Sequence, residues 1–344
     1  MQPFEQYPIL GICGRSGAGK TTLIENLIPQ LRGLGLQVAV VKDGAHRVRT
    51  DMPGKDSDRF FTAGADVALF GEQHFFRRHH PGDVTAFLVS LCTSHDVVLV
   101  EGHASTAVPK IWLTGSDSLD PPPLENQGHV LAVMNREQAT VKRLFAVVQE
   151  LIAAKWQQTP VWGCVLIGGR SSRMGSPKHL LLREGKTWLE RAVENLAPKV
   201  AQVVLSGAGQ IPDALANLAR VPDAPGLAGP LAGILAVMRW QPAVSWLVTA
   251  CDLPDAEPES LQWLLDQRNV GMRAVLPDLR GQGQLEPLLA WYDFRCRPLL
   301  ENIAASGSLR LNRLAEQEGI CRVQPPAQLH GSWRNVNTPE ELRQ

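Results

Sequence analysis

A short glycine-rich, basic stretch, residues 166–178, contains the side chains best suited to phosphate chemistry. It reads L-I-G-G-R-S-S-R-M-G-S-P-K and follows an apolar run, residues 161–167, that predicts a buried strand. The paired glycines let the backbone turn sharply and approach a ligand, while Arg170, Arg173 and Lys178 add positive charge. Phosphate anions bind where open backbone N–H groups and such cations meet, so this stretch predicts a nucleotide site. A solvated basic turn before a helix is the alternative.

A second loop near the N-terminus, residues 14–21, reads G-R-S-G-A-G-K-T and fits the pattern G-x-x-x-x-G-K-[ST]. It lies between an apolar run, residues 8–13, and a segment with leucines at helical spacing, residues 22–34, which is the order a P-loop requires. Lys20 would reach the β- and γ-phosphates, and the hydroxyl of Thr21 would bind Mg²⁺. The residues predicted to bind this nucleotide are Gly17, Ala18, Gly19, Lys20, Thr21 and Thr22.

Acidic residues at predicted strand ends are the candidate Mg²⁺ ligands. Glu101 follows the apolar run 97–100 downstream of the P-loop, where an acid commonly binds Mg²⁺ or its water. Asp96, at the start of the same run, is the competing choice. Asp252 follows the apolar run 246–250, and a carboxylate at the carboxyl edge of a parallel strand lies where open α/β sheets bind ligands. Capping of the next helix is the structural alternative for Asp252.

Length and composition indicate two globular α/β domains. The chain has 344 residues, of which 44% are hydrophobic, and a formal net charge of zero, so nucleic acid and anionic membranes are not expected partners. Its six cysteines form no C-x-x-C pair, and the sequence predicts neither a signal peptide nor a membrane span, so a cytoplasmic location is expected. A predicted helix over residues 140–156 and a polar connector after it place the boundary between domains 1–156 and 157–344. Alternating strands and helices predict mainly parallel sheets covered by helices on both faces.

The N-terminal half resembles the molybdopterin-guanine dinucleotide biosynthesis adaptor family. The resemblance lies in the P-loop, in P-G-K-D-S at residues 53–57 and in V-L-V-E-G at residues 98–102. Members usually have a histidine directly after the lysine of the second strand, whereas this chain has Asp43 there and keeps only His46. The resemblance implies a three-layer P-loop NTPase domain that binds GTP, uses Thr21 and Glu101 for Mg²⁺, and hydrolyses GTP slowly. It also implies recipient molybdoenzymes or other cofactor-biosynthesis proteins as partners, and a homodimer through this domain.

The C-terminal half resembles the molybdenum cofactor guanylyltransferases of the wider nucleotidyltransferase superfamily. Their loop reads roughly L-A-G-G-x-S-x-R-M-G-x-x-K; here Ile167 replaces the usual alanine, and Pro177 stands where many members carry aspartate. The resemblance implies a three-layer, Rossmann-like domain. The residues that it implies for nucleotide binding are Leu166, Ile167, Gly168, Gly169, Lys178, Asp223 and Asp252. Many relatives also carry asparagines after the next strand, where this chain has S-G-A at residues 206–208.

The resemblance also implies the acceptor side of the site and the reaction. Asn335 and Asn337 lie in the segment N-V-N-T-P, which in the family closes the site near the molybdopterin; their alternation predicts an edge strand with both side chains in one cleft. GMP would pass from GTP to molybdopterin or Mo-molybdopterin, and pyrophosphate would leave. Because the nucleophile is already an anion, catalysis requires alignment and charge neutralisation. Asp252 would hold Mg²⁺, and Arg173 and Lys178 would stabilise the leaving pyrophosphate.

Three alternative functions stay open at this point. A cytidylyltransferase acting on the same cofactor has a similar loop, commonly L-A-A-G, and Gly169 favours the guanine branch. A sugar-1-phosphate nucleotidyltransferase would leave the adaptor half without a purpose. The third alternative is a GTP-gated cofactor-binding or delivery protein with an inactive transferase half, against which the presence of Arg173, Lys178 and Asp252 argues.

Overall fold

The computed structural model describes residues 4–42, 51–80, 82–102, 106–114, 130–135, 137–168 and 177–336. The chain divides into two compact units, Met1–Gln149 and Glu150–Gln344. The division lies within a helix, Val141–Gln158, so the domain boundary at residue 156 stays a prediction. Within the second unit, the ring of Trp156 packs edge-on against that of Trp291, with 5.6 Å between the ring centroids.

The first unit is built around a parallel sheet. The elements are, in chain order, β1 (Ile9–Gly14), α1 (Lys20–Gly33), β2 (Val38–Lys42), α2 (Asp56–Thr62), β3 (Val67–Phe70), β4 (Phe75–Arg78), α3 (Val84–Cys92), β5 (Val97–Glu101), β6 (Lys110–Leu113), β7 (Val130–Met134) and α4 (Val141–Gln158). Five of the strands form one sheet in the order β2-β5-β1-β6-β7, and every neighbouring pair is parallel. The central strands β1 and β5 are buried along nearly their whole length, which explains why their sequences are almost continuously apolar.

A separate antiparallel hairpin, β3 with β4, is a feature that the sequence did not predict. From the sequence alone, the basic string R-R-H-H at residues 77–80 predicts a solvated turn, with an anion or metal site as the alternative. In the structure its first two residues belong to β4. The guanidinium of Arg78 pairs with Asp58 at 3.0 Å and with Asp51 at 3.5 Å, and it lies 3.7 Å from the centre of the Phe61 ring. The interpretation as a free turn is therefore wrong, because ion pairs and ring packing fix this arginine against neighbouring segments.

The second unit contains a mixed sheet of seven strands. Its further elements are β8 (Val161–Leu166), β9 (Leu182–Arg183), β10 (Lys186–Thr187), α5 (Trp188–Leu196), β11 (Val203–Ser206), β12 (Ala219–Val221), α6 (Pro230–Trp240), β13 (Ser245–Ala250), α7 (Pro258–Asp266), β14 (Ala274–Pro277), β15 (Leu289–Tyr292), α8 (Arg297–Ala305) and β16 (Ile320–Val323). The strand order is β12-β11-β8-β13-β15-β14-β16, and β15 runs antiparallel to both of its neighbours. The other neighbouring pairs are parallel. Two three-layer α/β/α domains, as predicted, are thereby confirmed.

Local sequence signals explain where the helices of the second unit begin. Thr187 caps α5: its hydroxyl accepts from the N–H of Glu190, while the Glu190 carboxylate accepts from the Thr187 N–H. Pro230 begins α6, where a missing N–H costs nothing, and the helix buries eight consecutive residues, 231–238.

In the part of the chain that the structure describes, no helix combines the length and apolar character needed to cross a bilayer.

Gly207 is a position where only glycine fits, and this gives a test of the fold next to the predicted site. Its φ is +116°, and a Cβ there would lie 1.9 Å from the carbonyl oxygen of Ile167. We expect Gly207→Ala to destabilise the second unit by roughly 2–5 kcal/mol, from left-handed backbone strain plus overpacking. Calorimetry should then show its thermal transition lowered by roughly 5–15 °C.

Gly185→Ala is the matched control, because Gly185 has a φ of +82° but no atom within 4 Å of the added Cβ. Gly185→Ala introduces backbone strain but no overpacking, so it should lower the thermal transition by only about a third as much as Gly207→Ala. Equal effects of the two substitutions would contradict the close approach at Gly207.

Candidate functional site

Three parallel strands bring the predicted transferase residues to one edge of the second sheet. In the pairing of β8 with β11 and β13, Leu166 is in register with both Ser206 and Ala250, which are the last residues of those strands. The Ile167 N–H donates to the carbonyl of Ser206 at 2.7 Å, and the Cys251 N–H donates to the carbonyl of Leu166 at 3.1 Å. The chain segments after these strands, including Asp252, therefore leave the sheet side by side at its carboxyl edge, where open α/β sheets bind ligands.

A cavity of about 740 Å³ opens at this edge, within the usual size range of small-molecule sites. Of the residues predicted to bind the nucleotide, those that line it are Leu166, Ile167, Gly168, Lys178, Asp223 and Asp252. Gly169 and Arg173 lie outside the described residues, as does Arg170. Gly168 has a φ of +108°, so the first glycine of the pair makes the sharp turn that the sequence indicates. The structure thus brings these side chains together, and their roles stay predictions.

Lys178 and Asp252 face each other in this cavity. The Lys178 Nζ lies 3.3 Å from the Asp252 Oδ2, and their side chains are only 15% and 21% exposed. The other carboxylate oxygen, Oδ1, is buried and has no hydrogen-bond partner among the described residues. A buried carboxylate oxygen without a partner is costly, so this oxygen is suited to receive a ligand. Asp252 caps no helix; it lies in a turn, and a cation with oxygen ligands would fit its unpaired oxygen.

Asp223 and the start of α6 form a further part of the cavity wall. Gly233 lets α6 approach β8 and β11: a Cβ there would lie 2.8 Å from the Leu166 Cδ2 and 3.1 Å from the Ser206 Oγ. The Ser206 hydroxyl donates to the Gly233 carbonyl at 3.0 Å. Burial raises the pKa of Asp223, which has no described cation to offset the cost of its charge. This carboxyl is therefore suited to a polar ligand group that hydrogen-bonds to it.

Cys251 lies beside Asp252 but is not a nucleophile. Burial, with a smaller effect of the neighbouring Asp252 charge, raises the pKa of its thiol to about 12. The thiol therefore stays protonated at neutral pH, and thiolate attack is excluded.

Among the described residues no group of three or more His, Cys, Asp or Glu side chains forms a metal cluster, so a cation held by Asp252 would need ligands from its substrate and from water.

The C-terminal segment is fixed to the turn that carries Asp252. The Val336 N–H donates to the Asp252 carbonyl at 3.1 Å, and the Trp333 indole N–H donates to the Leu289 carbonyl at 3.0 Å. The predicted edge strand is wrong here: residues 334–336 form no strand, since their hydrogen bonds go to this turn. Asn335 is exposed and does not line the cavity, and Asn337 lies outside the described residues, so their acceptor role stays a prediction.

Asp255, three residues after the metal-ligand candidate, joins three segments of the chain. Its carboxylate accepts hydrogen bonds from Arg183, on β9, and from the Nε of Arg334 at 2.8 Å. Burial opposes its ionisation, but the two guanidinium groups outweigh burial and lower the pKa of Asp255. This pairing could not be predicted from the sequence, because Asp255 is more than seventy residues from each arginine and the three match no motif.

In the first unit, the predicted P-loop connects β1 to α1. Gly17 and Gly19 have φ values of +79° and +85°, and a Cβ at either would meet no atom within 4 Å, so their backbone faces open space. The Lys20 Nζ donates to the carbonyls of Gly14 at 2.9 Å and Arg15 at 2.7 Å. Backbone N–H groups of such a loop at a helix N-terminus form an anion site, as the sequence predicts.

The candidate metal ligands of the P-loop lie in direct contact. The Thr21 hydroxyl donates to the Glu101 Oε1 at 2.7 Å, so the two oxygen donors predicted for Mg²⁺ lie on the same side of the loop. Asp96, the competing acid, is fully buried at the other end of β5, where its Oδ2 accepts from the Gln37 N–H at 2.8 Å. Asp96 therefore makes a structural hydrogen bond at that end of the strand, and Glu101 is the acid that lies beside Thr21.

These two arrangements define an α/β protein with one candidate nucleotide site in each unit. Comparison with protein families gives the same division: residues 163–320 match the MobA-like NTP transferase domain, and residues 9–136 match the molybdopterin guanine dinucleotide synthesis protein B family. The chain therefore belongs to both families, as a fusion of a protein B-like domain with a MobA-like transferase domain.

Individual relatives align with one half or the other. A probable molybdenum cofactor guanylyltransferase of Bacillus cereus (strain B4264) is 32% identical over 189 residues, covering 53% of this chain and 94% of the relative. The molybdopterin-guanine dinucleotide biosynthesis adapter protein of Haemophilus influenzae is 38% identical over 133 residues, covering 37% of this chain and 74% of the relative.

Two solved structures are also similar, each to one part of this chain. The molybdopterin-guanine dinucleotide biosynthesis protein A of Archaeoglobus fulgidus is 26% identical with a TM-score of 0.45, covering 53% of this chain and 95% of its own. A molybdopterin-guanine biosynthesis protein B structure is 28% identical with a TM-score of 0.34, covering 42% and 99%. On the family models and the sequence relatives, the chain is a transferase of molybdenum cofactor biosynthesis, as the resemblance implied.

Proposed function

We propose that the second unit transfers GMP from GTP to molybdopterin or Mo-molybdopterin and releases pyrophosphate. The observation that carries this proposal is the Lys178–Asp252 pair, with its buried, unpaired Asp252 Oδ1, in a cavity at the carboxyl edge of the sheet. The lysine engages one oxygen of the carboxylate, and the other, without a partner among the described residues, can accept a cation that arrives with the substrate.

The reaction joins two anions, so its main barrier is their mutual repulsion. When bound, Mg²⁺ would neutralise charge on the phosphates of GTP. Asp252 would hold the cation through Oδ1, and Lys178 would then turn from the carboxylate towards the leaving pyrophosphate. The acceptor phosphate already carries its negative charge, so no side chain has to remove a proton. The adjacent Cys251 thiol stays protonated and takes no part.

The first unit would act as a GTP-binding adaptor. The support is the P-loop with its two left-handed glycines, Lys20 at its end, and the Thr21–Glu101 contact that offers two oxygen ligands for Mg²⁺. Its task would be to coordinate the transferase with recipient molybdoenzymes or other cofactor-biosynthesis proteins. The names of the adapter relatives favour this role.

A product assay with competing nucleotides tests the transferase proposal. The full chain is incubated with Mg²⁺, molybdopterin and either GTP or CTP, and dinucleotide and pyrophosphate are measured by mass spectrometry and a coupled assay. We expect molybdopterin guanine dinucleotide from GTP, and CTP turned over at least tenfold more slowly, because one nucleobase usually fits a built pocket better by about 1.4 kcal/mol or more.

Each other outcome has its own meaning. Preference for CTP would replace guanylyl by cytidylyl transfer and retain the site. Absence of any dinucleotide, with GTP still bound, would favour the binding and delivery protein with an inactive transferase half.

A further inference from the structure

Lys42 occupies the position next to the P-loop where a metal ion would be expected. Its Nζ lies 3.2 Å from each of the two Glu101 carboxylate oxygens and 3.4 Å from the Thr21 hydroxyl oxygen. These are the same oxygen donors that the sequence predicts for Mg²⁺. One ammonium group with three N–H donors thus replaces a divalent cation among three oxygens.

Sheet register explains why Lys42 lies close to Glu101. Lys42, the last residue of β2, is the direct partner of Glu101, the last residue of β5, in a parallel pair of neighbouring strands. In that arrangement the two side chains project from the same face of the sheet. The contact therefore follows from the backbone of the two strands and does not require a particular loop conformation.

The two side chains differ in their freedom to move. The Lys42 side chain is 62% exposed, whereas the Glu101 side chain is only 10% exposed and is also fixed by the Thr21 hydroxyl at 2.7 Å. Mg²⁺ binds oxygen at about 2.0–2.1 Å and demands nearly octahedral geometry, which leaves no room for an ammonium group on the same oxygens. Lys42 can swing into solvent without disturbing packed atoms, while Glu101 stays in place.

We propose that Lys42 is a displaceable counter-ion of the P-loop site, which neutralises Glu101 when Mg²⁺ is absent and leaves it when Mg²⁺ binds with nucleotide. Without the lysine, the Glu101 carboxylate would repel the phosphates of a metal-free nucleotide. With it, the loop can hold nucleotide before the metal arrives, and the metal has to compete for Glu101. This inference rests on the proposed nucleotide binding by the first unit.

Binding of a fluorescent GTP analogue to the full chain, with Mg²⁺ and with EDTA, tests the proposal. The ratio of the dissociation constant in EDTA to that in Mg²⁺ is the quantity of interest. In Lys42→Met we expect this ratio to rise by roughly two- to fivefold, because Mg²⁺ with nucleotide no longer has to break the Lys42–Glu101 ion pair. Lys42→Arg, which keeps the charge, should stay near the wild-type ratio.

Two controls separate this inference from the function it rests on. Binding of the GTP analogue that is lost in Lys20→Ala is assigned to the first unit, and the binding that remains is assigned to the transferase cavity. If Lys20→Ala changes nothing, the proposal that the P-loop binds nucleotide is refuted. Lys142→Met removes an exposed lysine of α4 and should leave the ratio unchanged. If the Lys20-dependent binding exists but Lys42→Met has the wild-type ratio or a lower one, the counter-ion role of Lys42 is refuted.

Discussion

Replacing Asp252 by alanine is expected to abolish dinucleotide formation while the second unit stays folded. The substitution removes the cavity carboxylate that faces Lys178, and with it the buried Oδ1. Loss of one group that neutralises charge in the transition state costs on the order of a hundredfold or more in rate. The initial rate of pyrophosphate release from GTP, Mg²⁺ and molybdopterin gives the magnitude.

The fold should tolerate this change because the carboxylate makes few structural contacts. The Asp252 backbone carbonyl, which accepts from Val336, is kept in the variant, and the side chain lies in a turn outside any helix or strand. Asp252→Asn adds an isosteric test: it keeps the volume but removes the charge, so its rate should fall nearly as far. Its thermal unfolding should match that of the wild type.

Asp213→Ala is the charge-matched control, since Asp213 is exposed in the same unit and does not line the cavity. It should retain the wild-type rate. An Asp252→Ala variant that turned over normally would refute both the metal assignment and the mechanism built on charge neutralisation.

The sequence predicted those elements of the fold whose patterns are long and unambiguous. The runs that became β8 and β13 are apolar along their length, because both faces of a central parallel strand are buried. The starts of two helices carry local signals as well: Thr187 and Glu190 form the capping box of α5, and Pro230 is the first residue of α6. These signals are local, so they survive without knowledge of tertiary structure.

Shorter elements and strand direction could not be predicted from the same patterns. The strands β12, β14 and β16 have only three or four residues, too few for periodicity to separate them from loops. The antiparallel direction of β15 is equally hidden, since its sequence L-A-W-Y is buried on both faces and carries no mark of orientation. Strand pairing in the folded protein decides both where the short strands form and in which direction β15 runs.

The residues of the candidate sites also divide into those that a sequence pattern predicts and those that it does not. Lys20 and Thr21 belong to a motif with fixed spacing, and Asp252 directly follows an apolar run, so the positions of all three in candidate sites could be predicted. Lys42 and Asp255 could not, because each acts through a partner brought close by sheet register or by a turn packed against a distant segment. Long-range contacts of this kind leave no trace in the spacing of a single sequence.

Replacing Lys20 by alanine is expected to weaken GTP binding by the first unit about a hundredfold and to leave guanylyl transfer unchanged. The Lys20 Nζ lies 2.7 Å from the Arg15 carbonyl, at the edge of the loop whose N–H groups would surround the phosphates. Its loss removes a charge-assisted contact to phosphate, worth roughly 1.5–3 kcal/mol or slightly more where two phosphates share it. Titration with a fluorescent GTP analogue measures the binding, and the pyrophosphate assay measures the transfer in the same preparation.

The value of this experiment lies in the comparison of the two readouts. The P-loop belongs to the first compact unit and the Lys178–Asp252 pair to the second, so each should lose only its own activity when its lysine or aspartate is removed. Lys55→Ala, which removes an exposed lysine of the same unit, should change neither readout. Equal loss of binding and transfer in Lys20→Ala would contradict two independent sites, and it would instead require nucleotide in the first unit for catalysis in the second.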